Sequence, residues 1–185
     1  MDSRFLKDSQ AWHSRMARRS VLTGLAMAIG GLAARGARAA SPQQKPAEGQ
    51  STEAEALLTH LHQEVDFTAV PHRIYEALLD AKQFGALTGM PAQINREPGG
   101  AFSTFGGLIE GRNVELIADK RIVQAWRPAS WDAGVYSVVK FELVAREAQT
   151  RLVLDHTGFP EGSFRHLNSG WYARYWEPLK KFLAQ

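Results

Sequence analysis

The sequence contains no cysteine. Disulfide scaffolds, zinc ribbons, thiol nucleophiles and iron–sulfur clusters are therefore excluded together, while a chain without thiols suits an oxidising or a reducing compartment equally. It also lacks a P-loop, a G-x-S-x-G elbow, an H-E-x-x-H helix and a G-x-G-x-x-G fingerprint, the compact motifs of phosphate, acyl-transfer, zinc and dinucleotide chemistry. Long apolar runs are missing too. The uncharged stretch from Ser20 to Ala34 covers 15 residues, short of the about 20 that a membrane-spanning helix needs. What remains is a chain of 185 residues, 44% hydrophobic and 22% charged, the composition of one globular core with a tail.

The net charge of +3 is unevenly placed. Residues 1–39 hold seven basic and two acidic side chains, which leaves 15 basic against 17 acidic for 40–185. The body of the chain is thus slightly acidic, and a nucleic-acid partner is not expected.

The basic tail has the layout of an export signal. Arg18-Arg19 precede the uncharged run, and small residues at Ala37 and Ala39 follow it, matching a charged region, a short apolar region and a signal-peptidase site. The paired arginines before a glycine-containing run resemble the twin-arginine signal, although Val21 stands where that signal usually has phenylalanine. Residues 1–39 are read as a signal peptide with Ala40 as the mature N-terminus, which predicts a periplasmic protein without stable membrane insertion after cleavage. An ordinary secretory signal or an uncleaved anchor is the alternative. Residues 40–55, rich in Pro, Gln and Glu, read as a flexible linker, and 56–185 as the folded domain.

Within that domain, Leu61–Phe67 alternates as a half-buried strand with Leu61, Val65 and Phe67 inward. Pro71 suits the first turn of a helix that carries Ile74, Tyr75, Leu78 and Leu79 on one face. Asp80 is placed to cap a second short helix bearing Phe84 and Leu87. Strands are then expected at Phe102–Phe105, Leu108–Glu110, Val114–Ile117, Arg121–Arg127, Val135–Val144 and Thr150–His156, with Gly99-Gly100, Gly106-Gly107 and Gly111-Arg112-Asn113 read as the turns between them. From about Glu161 to Leu183 the residues Phe164, Leu167, Trp171, Tyr175, Leu179 and Phe182 form one aromatic-rich helical stripe. The pattern predicts an α+β domain: a curved antiparallel sheet wrapped around a long C-terminal helix, with two short helices after the first strand.

Several segments share the order of a known family: Val70-Pro71 with Ile74-Tyr75-Glu76-Ala77-Leu78, Gly99-Gly100-Ala101-Phe102, Arg121–Arg127, Trp131, His156-Thr157-Gly158-Phe159-Pro160 and Gly170-Trp171-Tyr172 with Tyr175-Trp176-Glu177-Pro178. Over about 61–183 the chain resembles the START-like helix-grip (SRPBCC) superfamily, and within it the homologues of the activator of heat-shock protein 90 ATPase. The resemblance implies a helix-grip fold whose cavity, across the superfamily, holds apolar molecules.

Trp126, Trp131, Trp171 and Tyr175 are the candidate ligand-binding residues, since an inward aromatic offers apolar area together with an N–H or O–H; plain core packing is the competing role. His156, on the face of Leu152 and Leu154, is the fifth, able to orient a ligand or serve as a general base, or simply to be satisfied by neighbours. His60, His62, Glu64 and Asp66 share the outer face of the first strand and imitate a metal row, but a solvated face explains them and no metal or other cofactor is expected. The leading expectation is an exported domain binding an apolar or amphipathic small molecule. A co-chaperone activating the heat-shock protein 90 ATPase is the alternative, with a chaperone partner disfavoured by export. A cavity enzyme using His156 is the third reading.

Overall fold

A computed structural model describes residues 54–185. The expected signal peptide and nearly all of the linker lie outside the described residues. Strand β1 (His60–Phe67) alternates strictly, burying Leu61, Gln63, Val65 and Phe67 and exposing the residues between them, the two-residue period of a strand with one wet face. Helix α1 (Pro71–Leu79) starts on Pro71 and buries Ile74, Tyr75, Ala77, Leu78 and Leu79. Asp80 caps α2 (Ala81–Thr88) by accepting from the Gln83 N–H at 2.8 Å, and Gly89 ends it with φ of 70°, a left-handed cap that glycine adopts without steric cost.

The chain then builds β2 (Gln93–Ile94), β3 (Ala101–Thr104), β4 (Ile109–Ile117), β5 (Arg121–Pro128), β6 (Ser137–Arg146) and β7 (Gln149–Thr157). All pairings are antiparallel, and the seven-stranded sheet has the order β1-β7-β6-β5-β4-β3-β2. β1 returns to pair with the last strand, so the chain's first and last strands meet at one end of the sheet.

Gly111-Arg112-Asn113 does not form a turn. These residues lie inside β4, which runs unbroken where two short strands were expected. The glycine serves close packing: a Cβ at Gly111 would lie 2.1 Å from the Ala125 carbonyl oxygen and 2.3 Å from the Phe102 ring. The irregularity falls one step later, where a bulge between Asn113 and Glu115 breaks the register with β5 and bends the strand.

The concave face carries Ile122, Trp126, Val139, Phe141, Leu143, Leu152 and Leu154, all buried. Over it lies the C-terminal helix, in three pieces: α3 (Phe164–Trp171), a π-helical turn (Tyr172–Trp176) and α4 (Glu177–Leu183). The helix therefore starts three residues later than expected and is not uniform. The wider turn inserts a residue into the helical period, so the adjacent Tyr175 and Trp176 are both buried, and Leu183 rather than Phe182 continues the fully buried stripe. Gln63 fastens this helix to β1: its Nε2 donates to the Asn168 carbonyl and Oδ1 at 3.0 and 2.7 Å, and its Oε1 accepts from Trp176 Nε1 at 2.6 Å.

The convex face is a ladder of ions. Arg151 contacts Asp66 and Glu64, each at 2.8 Å; His62 and Lys140 flank Asp155 at 2.7 and 3.0 Å; Arg121 bridges Glu142 and Glu115 at 3.1 and 3.4 Å. Of the row that imitates a metal site, His62, Glu64 and Asp66 are thus engaged in ion pairs, and among the described residues no three metal-ligating side chains converge.

Candidate functional site

The five candidate residues come together in the grip. Trp126 comes from β5, His156 from β7, Trp171 and Tyr175 from the C-terminal helix, and Trp131 from the loop between β5 and β6. Ring centroids separate Trp126 from His156 by 5.0 Å, from Trp171 by 5.7 Å and from Trp131 by 6.0 Å, and Trp171 from Tyr175 by 4.3 Å. All five are buried, the least of them 8% exposed. Arg127 holds the loop in place by donating to the Trp131 carbonyl at 2.6 Å while lying over the Tyr136 ring.

His156 is fully enclosed and both its nitrogens are used. Trp171 Nε1 donates to Nδ1 at 3.1 Å, and Nε2 lies 2.7 Å from Ser137 Oγ. An indole N–H can only donate, which makes Nδ1 the acceptor and places the ring proton on Nε2. That proton goes to Ser137 Oγ, whose own proton goes to the Trp126 carbonyl at 2.9 Å. Burial, with no facing carboxylate, pushes the imidazole pKa down to about 3, so the ring is neutral at ordinary pH. With both nitrogens committed, His156 organises the grip, joining β5, β6, β7 and the helix, and offers no free lone pair for proton abstraction.

Tyr175 lies at the less regular end of the site. Its ring meets Phe105 at 5.2 Å and Phe84 at 5.9 Å, both edge to face. Burial holds its phenol well above the usual range, against the opposing pull of Trp126 and Thr104, which both approach the hydroxyl. Next to it is a small void of about 10 Å³ between sheet and helix, lined by Thr104, Gln124 and Tyr175 together with Leu78, Phe84 and Ile122 among others. Of the five candidates only Tyr175 reaches this void. A space of that size holds about one water, so the other four are packed core in this closed form.

Costly local features surround Tyr175. It belongs to the π-turn. Phe105 adopts φ of 53°, a left-handed conformation that costs a non-glycine residue about 1–2 kcal/mol. The buried Trp126 Nε1–H approaches the Tyr175 hydroxyl without reaching full hydrogen-bonding geometry. Thr104, Gln124 and Ser137 were not singled out from the sequence: a lone polar residue on a strand has no motif, and only the register shows which face it takes.

The chain matches the family model described as "Activator of Hsp90 ATPase homolog 1-like protein" over residues 68–184. It is 26% identical over 115 residues to the human activator of 90 kDa heat shock protein ATPase homolog 1, covering 62% of this chain and 34% of that protein. It is 30% identical over 116 residues to the Dictyostelium discoideum homologue, covering 62% of this chain and 30% of the relative. The chain thus spans about a third of the length of these curated relatives. A crystal structure of an HSP90 activator from Plasmodium falciparum superposes with a TM-score of 0.66 at 26% identity, covering 69% of this chain and 97% of that one. With the family model matching well over half of its residues, the chain belongs to the family of Activator of Hsp90 ATPase homolog 1-like proteins.

Proposed function

We propose that the domain binds an apolar or amphipathic small molecule between its sheet and C-terminal helix, and that it does so in the periplasm after twin-arginine export. The observation that carries this reading is the convergence at Tyr175: a π-turn, a left-handed Phe105 packed on its ring, and a small void with Thr104 and Gln124 on an otherwise apolar lining. Departures from local rules that persist together favour a site over plain packing. A small-molecule pocket is typically about 300–1,000 Å³, so an occupant must part the helix from the sheet. Native mass spectrometry of the mature protein purified from its own host tests the reading. A retained small molecule supports it; a bare polypeptide mass, with unshifted tryptophan emission across a panel of apolar probes, refutes it.

A second reading follows from the curated relatives, named as activators of a 90 kDa heat shock protein ATPase: contact with such a chaperone through the outer surface. Direct binding together with stimulation of the chaperone's ATPase would favour it over the cavity.

A further inference from the structure

Two polar relays end at the void, one in an acceptor and one in a donor. The first starts in the sheet. Asn113, fully buried, donates through Nδ2 to the Asn95 carbonyl at 2.8 Å, which turns its Oδ1 toward Gln124 Nε2 at 3.0 Å. A carbonyl only accepts and an amide nitrogen only donates, so both side-chain amides have one orientation. That contact is the single hydrogen bond of the Gln124 side chain among the described residues, and Oε1 is left as an open acceptor. The second relay starts at Trp126, whose Nε1–H approaches the Tyr175 hydroxyl, and Thr104 approaches the same hydroxyl. An indole N–H only donates. It therefore faces the phenol oxygen and turns the phenolic proton toward Thr104 Oγ, and the proton left over is that of the threonine. Thr104 and Gln124 both line the void.

An occupant must then take one proton and give one. A carbonyl oxygen suits Thr104 and opposes Gln124 Oε1, and a hydrocarbon suits neither. An amide needs two atoms for the two tasks, whereas a hydroxyl does both from one, and a void of about 10 Å³ admits one such group. Besides Thr104, Gln124 and Tyr175 the lining is six apolar side chains, and among the described residues no Asp, Glu, Lys or Arg belongs to it. An ionic head group would be buried there without a counter-ion, which is far more costly than burying a hydrogen-bonded neutral oxygen. We infer that the ligand is a neutral alcohol, a hydroxyl on an apolar body, and that this hydroxyl accepts from Thr104 Oγ and donates to Gln124 Oε1.

This inference rests on the cavity reading above, and the test separates the two. Four probes of one shape are titrated into the protein: cyclohexanol (gives and takes a proton), cyclohexanone (takes only), cyclohexane (neither) and cyclohexylammonium (a cation). Binding is followed by NMR at the tryptophan indole N–H resonances. Cyclohexanol should bind about tenfold more tightly than cyclohexane, cyclohexanone should gain nothing over cyclohexane, and the ammonium should not bind. Thr104→Val and Gln124→Leu should each bring cyclohexanol down to the level of cyclohexane and leave cyclohexane unchanged, while Thr104→Ser should keep the preference. Cyclohexanone binding as tightly as cyclohexanol, equal affinity for alcohol and hydrocarbon, preferred binding of the ammonium, or an equal effect of the two polar variants on alcohol and hydrocarbon overturns the inference while leaving the cavity reading in place. Failure of all four probes to move any interior tryptophan signal removes the cavity reading and the inference with it. Should a polar variant not fold, the ranking of the four probes in the unaltered protein decides the matter.

Discussion

Acid should unfold this domain earlier than its carboxylates would require, and His156 is the reason. In the folded state its pKa is pushed down to about 3 by burial, against an ordinary value of 6.5. The unfolded chain therefore binds the proton more readily between these limits, and stability is intact above about pH 6.5 and falls toward pH 3. At pH 4.5 the deficit from this group alone is about 2.7 kcal/mol, from about 1.4 kcal/mol per pH unit over two units. That is a large share of the roughly 5–15 kcal/mol a domain commands. The window is well chosen, because Asp66, held low by its bonds from Arg151, and Asp155, held low by His62 and Lys140 against the opposing effect of burial, lose support only below their ordinary values near 3.8. His62 acts in the other direction. The hydrogen bond to Asp155 raises its pKa, so its contribution is present below pH 6.5 and fades as pH rises through the raised value; it is exposed and screened, and a His62→Asn background removes it. Urea unfolding at pH 6.5, 5.5 and 4.5, followed by tryptophan emission and far-ultraviolet circular dichroism, measures the slope. His156→Gln should be less stable at pH 6.5 yet lose little more by pH 4.5. Parallel pH profiles for the two proteins would refute the assignment.

Four further outcomes follow from the packing. Gly111→Ala forces a methyl against the Ala125 carbonyl and the Phe102 ring and should cost about 3 kcal/mol or more or prevent folding, read by the urea midpoint. Thr150→Val removes the buried hydroxyl that donates to the Ala69 carbonyl at 2.6 Å and should cost about 1–3 kcal/mol, whereas Arg151→Ala on the outer ladder should cost no more than about 1 kcal/mol, a loss that shrinks in added salt. Trp171→Phe removes the donor to His156 Nδ1 along with buried area, so the unfolding free energy should fall by about 1–3 kcal/mol and the apparent pKa of His156, followed by NMR, should change.

Much of this architecture is written in local patterns. The alternation of Leu61–Phe67, the proline at the start of α1, the Asp80 cap and the aromatic stripe after Phe164 each state a conformation within a few residues. Gly111 misleads because the reason for it is non-local: a glycine between polar residues looks like a turn until Phe102 and the Ala125 carbonyl are placed on either side. The π-turn is hidden for a related reason, since Trp176 lies off the stripe at regular helical spacing and is buried only because the turn widens. Sequence periodicity places Trp126, His156, Trp171 and Tyr175 on inward faces, and Trp131 joins them from a loop. It could not say that four of them pack against one another and that only Tyr175 borders open space.

Gln63 gives the grip a direction. One amide holds Asn168, ahead of the widened turn, and Trp176, at its end, so along the β1 edge the two halves of the helix are bolted to the same point. Sliding of the helix along its axis would break these three hydrogen bonds at once, and the Trp171–His156 bond with them. On its other side Tyr175 meets Phe84 and Phe105 edge to face, and Arg73 Nη1 donates to the Leu183 carbonyl at 3.3 Å, which ties the end of the helix to the first helix. The helix is thus locked in register by one buried amide, with the widened turn held between the two points that the amide grips.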